Sequence, residues 1–156
     1  MTPSSSPPLP KFDQFDQRIA DAMMRTNDTP AGLPGYLGVR FVAFTPGRLV
    51  AEMEVKKDLV TPMGAMHGGA MAGLVDHVMG CVLYPLMKRG QWAATTEFKL
   101  NYLSAVREGS LLAESSVLAL TSRTAVVRVE VRNGDRLACV AQGTLLVSEP
   151  PAAKPA

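Results

Sequence analysis

The sequence predicts an α+β fold in which a curved antiparallel sheet wraps one long helix. Three observations carry that prediction. Met71, Leu74, Val75, Val78, Val82 and Pro85 keep the i, i+3, i+4, i+7 spacing of one helical face. Downstream, several runs alternate apolar and polar residues, the period of strands with one buried face. Turn signals separate the runs, at Thr45-Pro46-Gly47, Arg107-Glu108-Gly109, Thr121-Ser122-Arg123 and Asn133-Gly134.

A chain of 156 residues that is 47% hydrophobic with a net charge of +2 can bury one sizeable core. We expect a single domain over 11–148, between a disordered Ser/Pro-rich segment at 1–10 and a disordered Pro/Ala tail at 149–156. Segment 1–10 has no apolar run and is not a signal peptide. Arg and Lys are scattered among acids, so no nucleic-acid surface is expected. The most apolar window, 70–87, carries Asp76 and His77 at its centre and is too short and polar to span a membrane. Two cysteines in apolar settings, Cys81 and Cys139, read as reduced core residues of a cytoplasmic protein.

In chain order, Phe12, Phe15, Ile19 and Met23 mark a short amphipathic helix ending near Arg25. Thr26 to Gly35, with Pro30, Gly32, Pro34 and Gly35, reads as a loop, and Tyr36 to Phe44 as a strand. In Arg48–Val55, Leu49, Ala51, Met53 and Val55 alternate with polar or outward positions. The long helix runs from about His67 to Lys88, with Pro85 kinking or shortening its last turn. Trp92, Ala94, Thr96, Phe98, Leu100 and Tyr102 then form one face of a strand and Thr95, Glu97, Lys99 and Asn101 the other. Ser110–Leu120, a strand around Ala125–Val131, and Arg136–Val147 complete the sheet.

The stretch Gly64 to His77 organises the rest. Opposite the apolar face of its helix lies a stripe of small residues, Gly69, Ala72, Gly73 and Gly80, with Asp76 among them. A carboxylate there needs a partner or a task. The first turn, His67-Gly68-Gly69, presents free backbone N–H groups and the positive end of the macrodipole, an arrangement suited to a developing oxyanion. Asp76 lies about 10.5 Å further along the axis than Gly69, at about 1.5 Å per residue, too far to serve an atom held at that N-terminus. Either the two are unrelated, or Asp76 acts on a substrate held by a second copy of the chain. We favour the second reading.

His67-Gly68-Gly69 at the helix start, Asp76 nine residues after the His, and the run Leu100-Asn101-Tyr102-Leu103…Glu108-Gly109 together resemble the hotdog-fold acyl-CoA thioesterases, above all the phenylacetic-acid-degradation (PaaI-type) branch. The resemblance spans roughly Tyr36 to Val147. It implies a homodimer or dimer of dimers, sheets joined edge to edge and helices antiparallel, with acyl-CoA hydrolysed at the subunit interface. It further implies that Gly68 or Gly69 polarises the thioester carbonyl through its N–H, and that Asp76 of the other subunit activates water or attacks directly. A hydroxyl on the next strand, mapping to Thr95, assists. Many relatives carry an Asn six residues before the His; Thr61 stands there, with shorter reach and no amide donor.

By its residues, Asp76 is a base or nucleophile rather than a proton donor. His67 is a candidate catalytic residue, better read as orienting the turn through a backbone hydrogen bond. His77 points some 100° away from Asp76 and is a packing or surface residue. Met66 belongs to a group of methionines, with Met63, Met71, Met79 and Met87, that fill core and offer an adaptable acyl pocket. By strict alternation Thr95 faces away from Phe98 and Leu100, unless a bulge or the dimer seam brings it to the site. Arg107, Arg123 and Arg128 are candidates for the CoA phosphates. Neither a metal site nor a cofactor is expected. Two alternatives stand beside the hydrolase: a non-catalytic acyl-CoA or lipid-binding module of the same fold, and a hydratase, for which the adjacency of Asp76 and His77 is the wrong spacing.

Overall fold

The computed structural model describes residues 10–149, so the expected disordered segments 1–10 and 149–156 lie, but for Pro10 and Glu149, outside the described residues. Three α-helices, α1 (Gln17–Arg25), α2 (Gly32–Leu37) and α3 (Gly68–Cys81), accompany six strands: β1 (Arg40–Thr45), β2 (Arg48–Glu54), β3 (Trp92–Tyr102), β4 (Ser110–Leu120), β5 (Thr124–Asn133) and β6 (Arg136–Ser148). They form one antiparallel sheet in the order β1-β2-β4-β5-β6-β3, leaving β1 and β3 as its edges.

Alternation along each strand builds the core as rows across the sheet. Ala51, Ala113, Val131 and Cys139 are successive partners in one row; Leu49, Ser115, Val129 and Ala141 form the next. All eight are buried. Onto this face α3 lays Met71, Leu74, Val75, Val78 and Met79. Each such Leu or Val contributes on the order of 1.5–3 kcal/mol by leaving water. Ser115, the one buried polar residue among those described, donates from Oγ to Val78 O at 3.1 Å, so its hydroxyl pins the helix to the sheet. The helix approaches closely because β6 has glycine at 143. A Cβ there would stand 2.5 Å from Glu97 O and 2.8 Å from Met79 Sδ. The stretch Gly68–Leu86 is long and apolar enough to cross a membrane, yet its apolar side chains are spent on this core.

Several boundaries differ from the sequence reading. The Pro/Gly-rich stretch is partly helical. Gly32 (φ +61°) and Gly38 (φ +80°) bracket α2, Pro34 falls in its first turn where a missing N–H costs nothing, and Tyr36 is helical rather than the start of a strand. The long helix ends at Cys81 rather than Lys88. Pro85 brings no N–H, and a 3-10 turn, Tyr84–Leu86, follows instead. The last hairpin turns on Gly134-Asp135, with Asn133 paired to Arg136, one residue later than Asn133-Gly134. Asn133 is held in the strand because its amide donates to Glu108 O and Ser110 O at 3.1 and 2.9 Å.

One irregularity bears directly on function. In β3 the register with β6 slips between Thr95 and Glu97, a bulge at Thr96. Strict alternation therefore fails. Thr95 pairs with buried Leu145 and shares the inner face with Phe98 and Leu100, while Trp92 and Ala94 move to the outer face. The extra residue reverses the side on which every residue before it stands.

Candidate active site

The start of α3 is a tightly bonded turn. Thr61 N–H donates to Ala65 O at 2.7 Å and Gly64 N–H to Thr61 O at 2.9 Å, closing the loop that feeds the helix. Arg107 ties that loop from outside, its Nη1 donating to Met63 O and Gly64 O at 3.1 and 3.4 Å. His67 is the N-cap, and its Nδ1 accepts from Gly69 N–H at 2.8 Å. Ala70 and Met71 N–H both donate to His67 O. Gly68 N–H has no acceptor among the described residues. Of the two glycines the sequence offered as oxyanion donors, Gly69 is spent on the cap and Gly68 is free. Tyr102 Oη, from the end of β3, donates to Gly68 O at 2.8 Å, and a Cβ on Gly68 would stand 2.9 Å from that hydroxyl. Tyr102 was legible as a strand residue and as part of the run that carries the family resemblance, but its contact with Gly68 was not, because nothing in a period of two says where a strand end meets a helix start.

Asp76 is exposed on the outer side of α3 and takes part in no ion pair among the described residues. With Ala72 and Gly73 of the same helix, and Thr95, Thr96, Glu97 and Phe98 of β3, it lines an open hollow of about 520 Å³. The bulge delivers Thr95 to this hollow. Asp76 also contributes to the local electrostatics. Burial, together with the charge of Asp76, pushes the Cys81 thiol up to about 12. Burial lowers the pKa of His77 and the same charge opposes that. His77 stacks on Phe41, centroids 5.4 Å apart, and touches Cys81 Sγ at 3.7 Å, so it packs rather than facing the hollow. On the other side of Gly73 sits α2, where a Cβ at 73 would stand 3.1 Å from Leu37 Cδ1 and 3.9 Å from Leu33 Cδ2.

The predicted residues thus fall into two groups. Thr61, His67, Gly68 and Gly69 gather at the N-terminus of α3; Asp76 and Thr95 share the hollow. Gly68 and Asp76 are separated by about 12 Å along the axis, at about 1.5 Å per residue. Met66 belongs to neither group: it is buried in the core, held by its N–H to Val106 O at 2.7 Å. Among the described residues no three His, Cys, Asp or Glu side chains are grouped to hold a metal ion. A free N–H at a helix N-terminus can polarise a carbonyl, and an unpaired carboxylate beside a hydroxyl can take a proton from water. One chain cannot apply both to the same atom.

Comparison with known proteins gives this arrangement a setting. A model described as the thioesterase superfamily matches residues 63–140, half of the chain. The 1,4-dihydroxy-2-naphthoyl-CoA hydrolase of Escherichia coli is 28% identical over 114 residues, which cover 72% of this chain and 84% of that one. A Streptococcus mutans protein solved with acetyl-CoA bound superposes with a TM-score of 0.67 at 27% identity, over 72% of this chain and 90% of its own. The PaaI protein of Escherichia coli, from the phenylacetic acid degradation operon, superposes with a TM-score of 0.76 over 85% of this chain and 96% of its own. At 18% identity that likeness speaks to the fold.

Proposed function

Because the chain belongs to the thioesterase superfamily, we propose that it hydrolyses acyl-CoA thioesters as a homodimer, or a dimer of dimers, whose sites are each built by two copies. The observation that carries this reading is the separation within α3: a free N–H at Gly68, and the Asp76 carboxylate about 12 Å further along. Two helices running antiparallel across a two-fold axis bring the start of one beside the middle of the other, twice per dimer. The exposed edge of β3, next to both groups, is where two such sheets join.

In each site Gly68 N–H and the positive end of α3 hold the carbonyl oxygen and stabilise its charge as it develops. Asp76 of the second copy takes a proton from water as the water oxygen bonds to the carbonyl carbon. Thr95 beside it accepts or donates a hydrogen bond to that water. The C–S bond then breaks, and CoA leaves as the thiolate and is protonated, giving free acid and CoA. His67 holds the turn so that Gly68 N–H points outward. Thiol release over a panel of acyl-CoA esters, with mass measured by light scattering, tests the proposal. Turnover by a species of twice the chain mass or a multiple of it is expected. A monomer that hydrolyses at full rate overturns the shared site. Thr61 favours the alternative of a module that binds acyl-CoA without turnover, and that reading wins if CoA esters bind and no thiol is released.

A further inference from the structure

Tyr102, the last residue of β3, is fixed in its backbone and open in its ring. Its main chain pairs with Cys139 of β6. The segment after it is pinned on two sides. Leu103 and Ser104 N–H donate to Ala138 O at 2.8 and 3.2 Å, Ser104 Oγ donates to Leu137 O at 3.1 Å, and Val106 O accepts from Met66 N–H at 2.7 Å. The strand end is thereby tied to the residues that open α3. The ring of Tyr102 is 55% exposed, so it is not there to fill the core. Among the described residues its hydroxyl makes one hydrogen bond, from Oη to Gly68 O at 2.8 Å. Glycine at 68 admits that approach, since a Cβ would stand 2.9 Å from Oη and 3.0 Å from Cζ.

Gly68 O and Gly69 N–H belong to one peptide group. Tyr102 Oη–H bonds its oxygen and His67 Nδ1 takes its hydrogen at 2.8 Å, so the group is gripped at both ends. A hydrogen bond donated to a carbonyl polarises the peptide and strengthens the bond that its N–H donates. The preceding peptide group carries His67 O and Gly68 N–H. Its oxygen accepts from Ala70 and Met71 N–H at 3.0 and 3.3 Å, which turns the N–H the other way. Resting on the thioesterase reading, we propose that Tyr102 is a positioning residue of this turn. By closing the chain from its phenol through the Gly68–Gly69 peptide to His67, it holds Gly68 N–H aimed at the carbonyl oxygen of the substrate. An aimed donor stabilises charge that develops in the transition state more than it holds the ground state. Tyr102 therefore acts on kcat rather than on KM, without touching a reacting atom.

The test is Tyr102→Phe, which keeps the ring and removes only the hydroxyl, with Tyr36→Phe, at an exposed tyrosine of α2, as control. Both are measured on the acyl-CoA ester that wild type turns over fastest. In Tyr102→Phe, kcat should fall by about 3- to 10-fold, the scale of one hydrogen bond, with KM within about twofold of wild type. Tyr36→Phe should match wild type in both. Amide hydrogen exchange adds a readout that needs no turnover. The Gly69 amide should exchange about 3- to 10-fold faster in Tyr102→Phe, while the Val78 amide in the middle of α3 keeps its wild-type rate. A kcat within about twofold of wild type overturns the proposal. So does a raised KM at unchanged kcat, which would make Tyr102 a substrate contact. An equal rise in exchange at Gly69 and Val78 also overturns it, since the hydroxyl would then serve the fold as a whole. If wild type releases no thiol from any ester, yet Tyr102→Phe frees the Gly69 amide alone, hydrolysis falls and the grip on the turn stands. If wild type hydrolyses and Tyr102→Phe keeps its kcat, the reverse holds.

Discussion

At the first turn of α3 almost every group is engaged: His67 caps Gly69, Tyr102 reaches Gly68 O, and Arg107 holds the incoming loop by two carbonyls. Two turns further on, Asp76 stands exposed at the mouth of an open hollow, in no ion pair among the described residues. The two regions belong to one helix and are built to opposite rules. The first spends hydrogen bonds to fix the turn around one backbone N–H, and the oxyanion donor of the proposed mechanism works only if it is already aimed. The second leaves its carboxylate free, which suits the proposed role, since a group that must take a proton is weakened as a base by a standing ion pair. The difference teaches that the N-terminal turn is held by many bonds and the middle of the helix is left open, which is the division of labour the proposed two-copy site requires.

The sharpest way to break the comparison is to remove the reactive group alone. Asp76→Asn keeps the volume and loses the charge. We expect kcat to fall at least about 10²-fold, the scale of a positioned base, with an unchanged thermal melt because no ion pair is lost. Hydrolysis near the wild-type rate would end the assignment. On the other side, Gly68→Val places a branched side chain against Tyr102 and beside the free N–H. Turnover should fall by about 10²-fold or more, as when an oxyanion donor is lost, and circular dichroism checks that the fold survives.

Combining the two variants asks whether the regions meet across subunits. Co-expression with random assembly makes about half the dimers mixed, each with one intact site, so activity returns to about a quarter of wild type. A verified mixed dimer with no activity would place both groups in one chain's site and defeat the shared mechanism.

A smaller effect separates positioning from chemistry at His67. His67→Ala removes the cap and should cost about 0.5–2 kcal/mol of stability by denaturant melt. His67→Asn, another capping residue, should restore most of both stability and turnover. If the Asn variant is stable yet loses turnover by about 10²-fold, His67 is a base after all. The smallest expected effect lies at His77, whose pKa burial lowers. A histidine held neutral in the fold stabilises it above its ordinary value of 6.5, and that contribution is lost as pH falls below 6.5 toward its depressed value. Thermal melts from pH 7.5 to 5 should therefore decline, and the decline should be shallower in His77→Phe. An identical slope in both would assign the acid loss to other groups.

What the sequence alone determined is what repeats locally. The period of two placed the buried faces of β2 and β5 and the period of 3.6 that of α3, because burial of every second or every third-to-fourth residue is written directly into the order of residues. The small stripe with Asp76 in it was legible for the same reason, as was the distance that forbids Asp76 from serving the N-terminus of its own helix. The tertiary structure decided what depends on a single residue or on distant partners. The extra residue at Thr96 turned Thr95 inward, which no alternation rule could show because a bulge is itself a break in alternation. A hydrogen bond from Gly69 to His67 left Gly68 as the free donor. Packing drew Met66 into the core and folded a Pro/Gly-rich stretch into α2, since two left-handed glycines and the buried Leu37 outweigh a local preference for loop. Local pattern sets which elements form; which side chains face one another across them is fixed only when the whole chain packs.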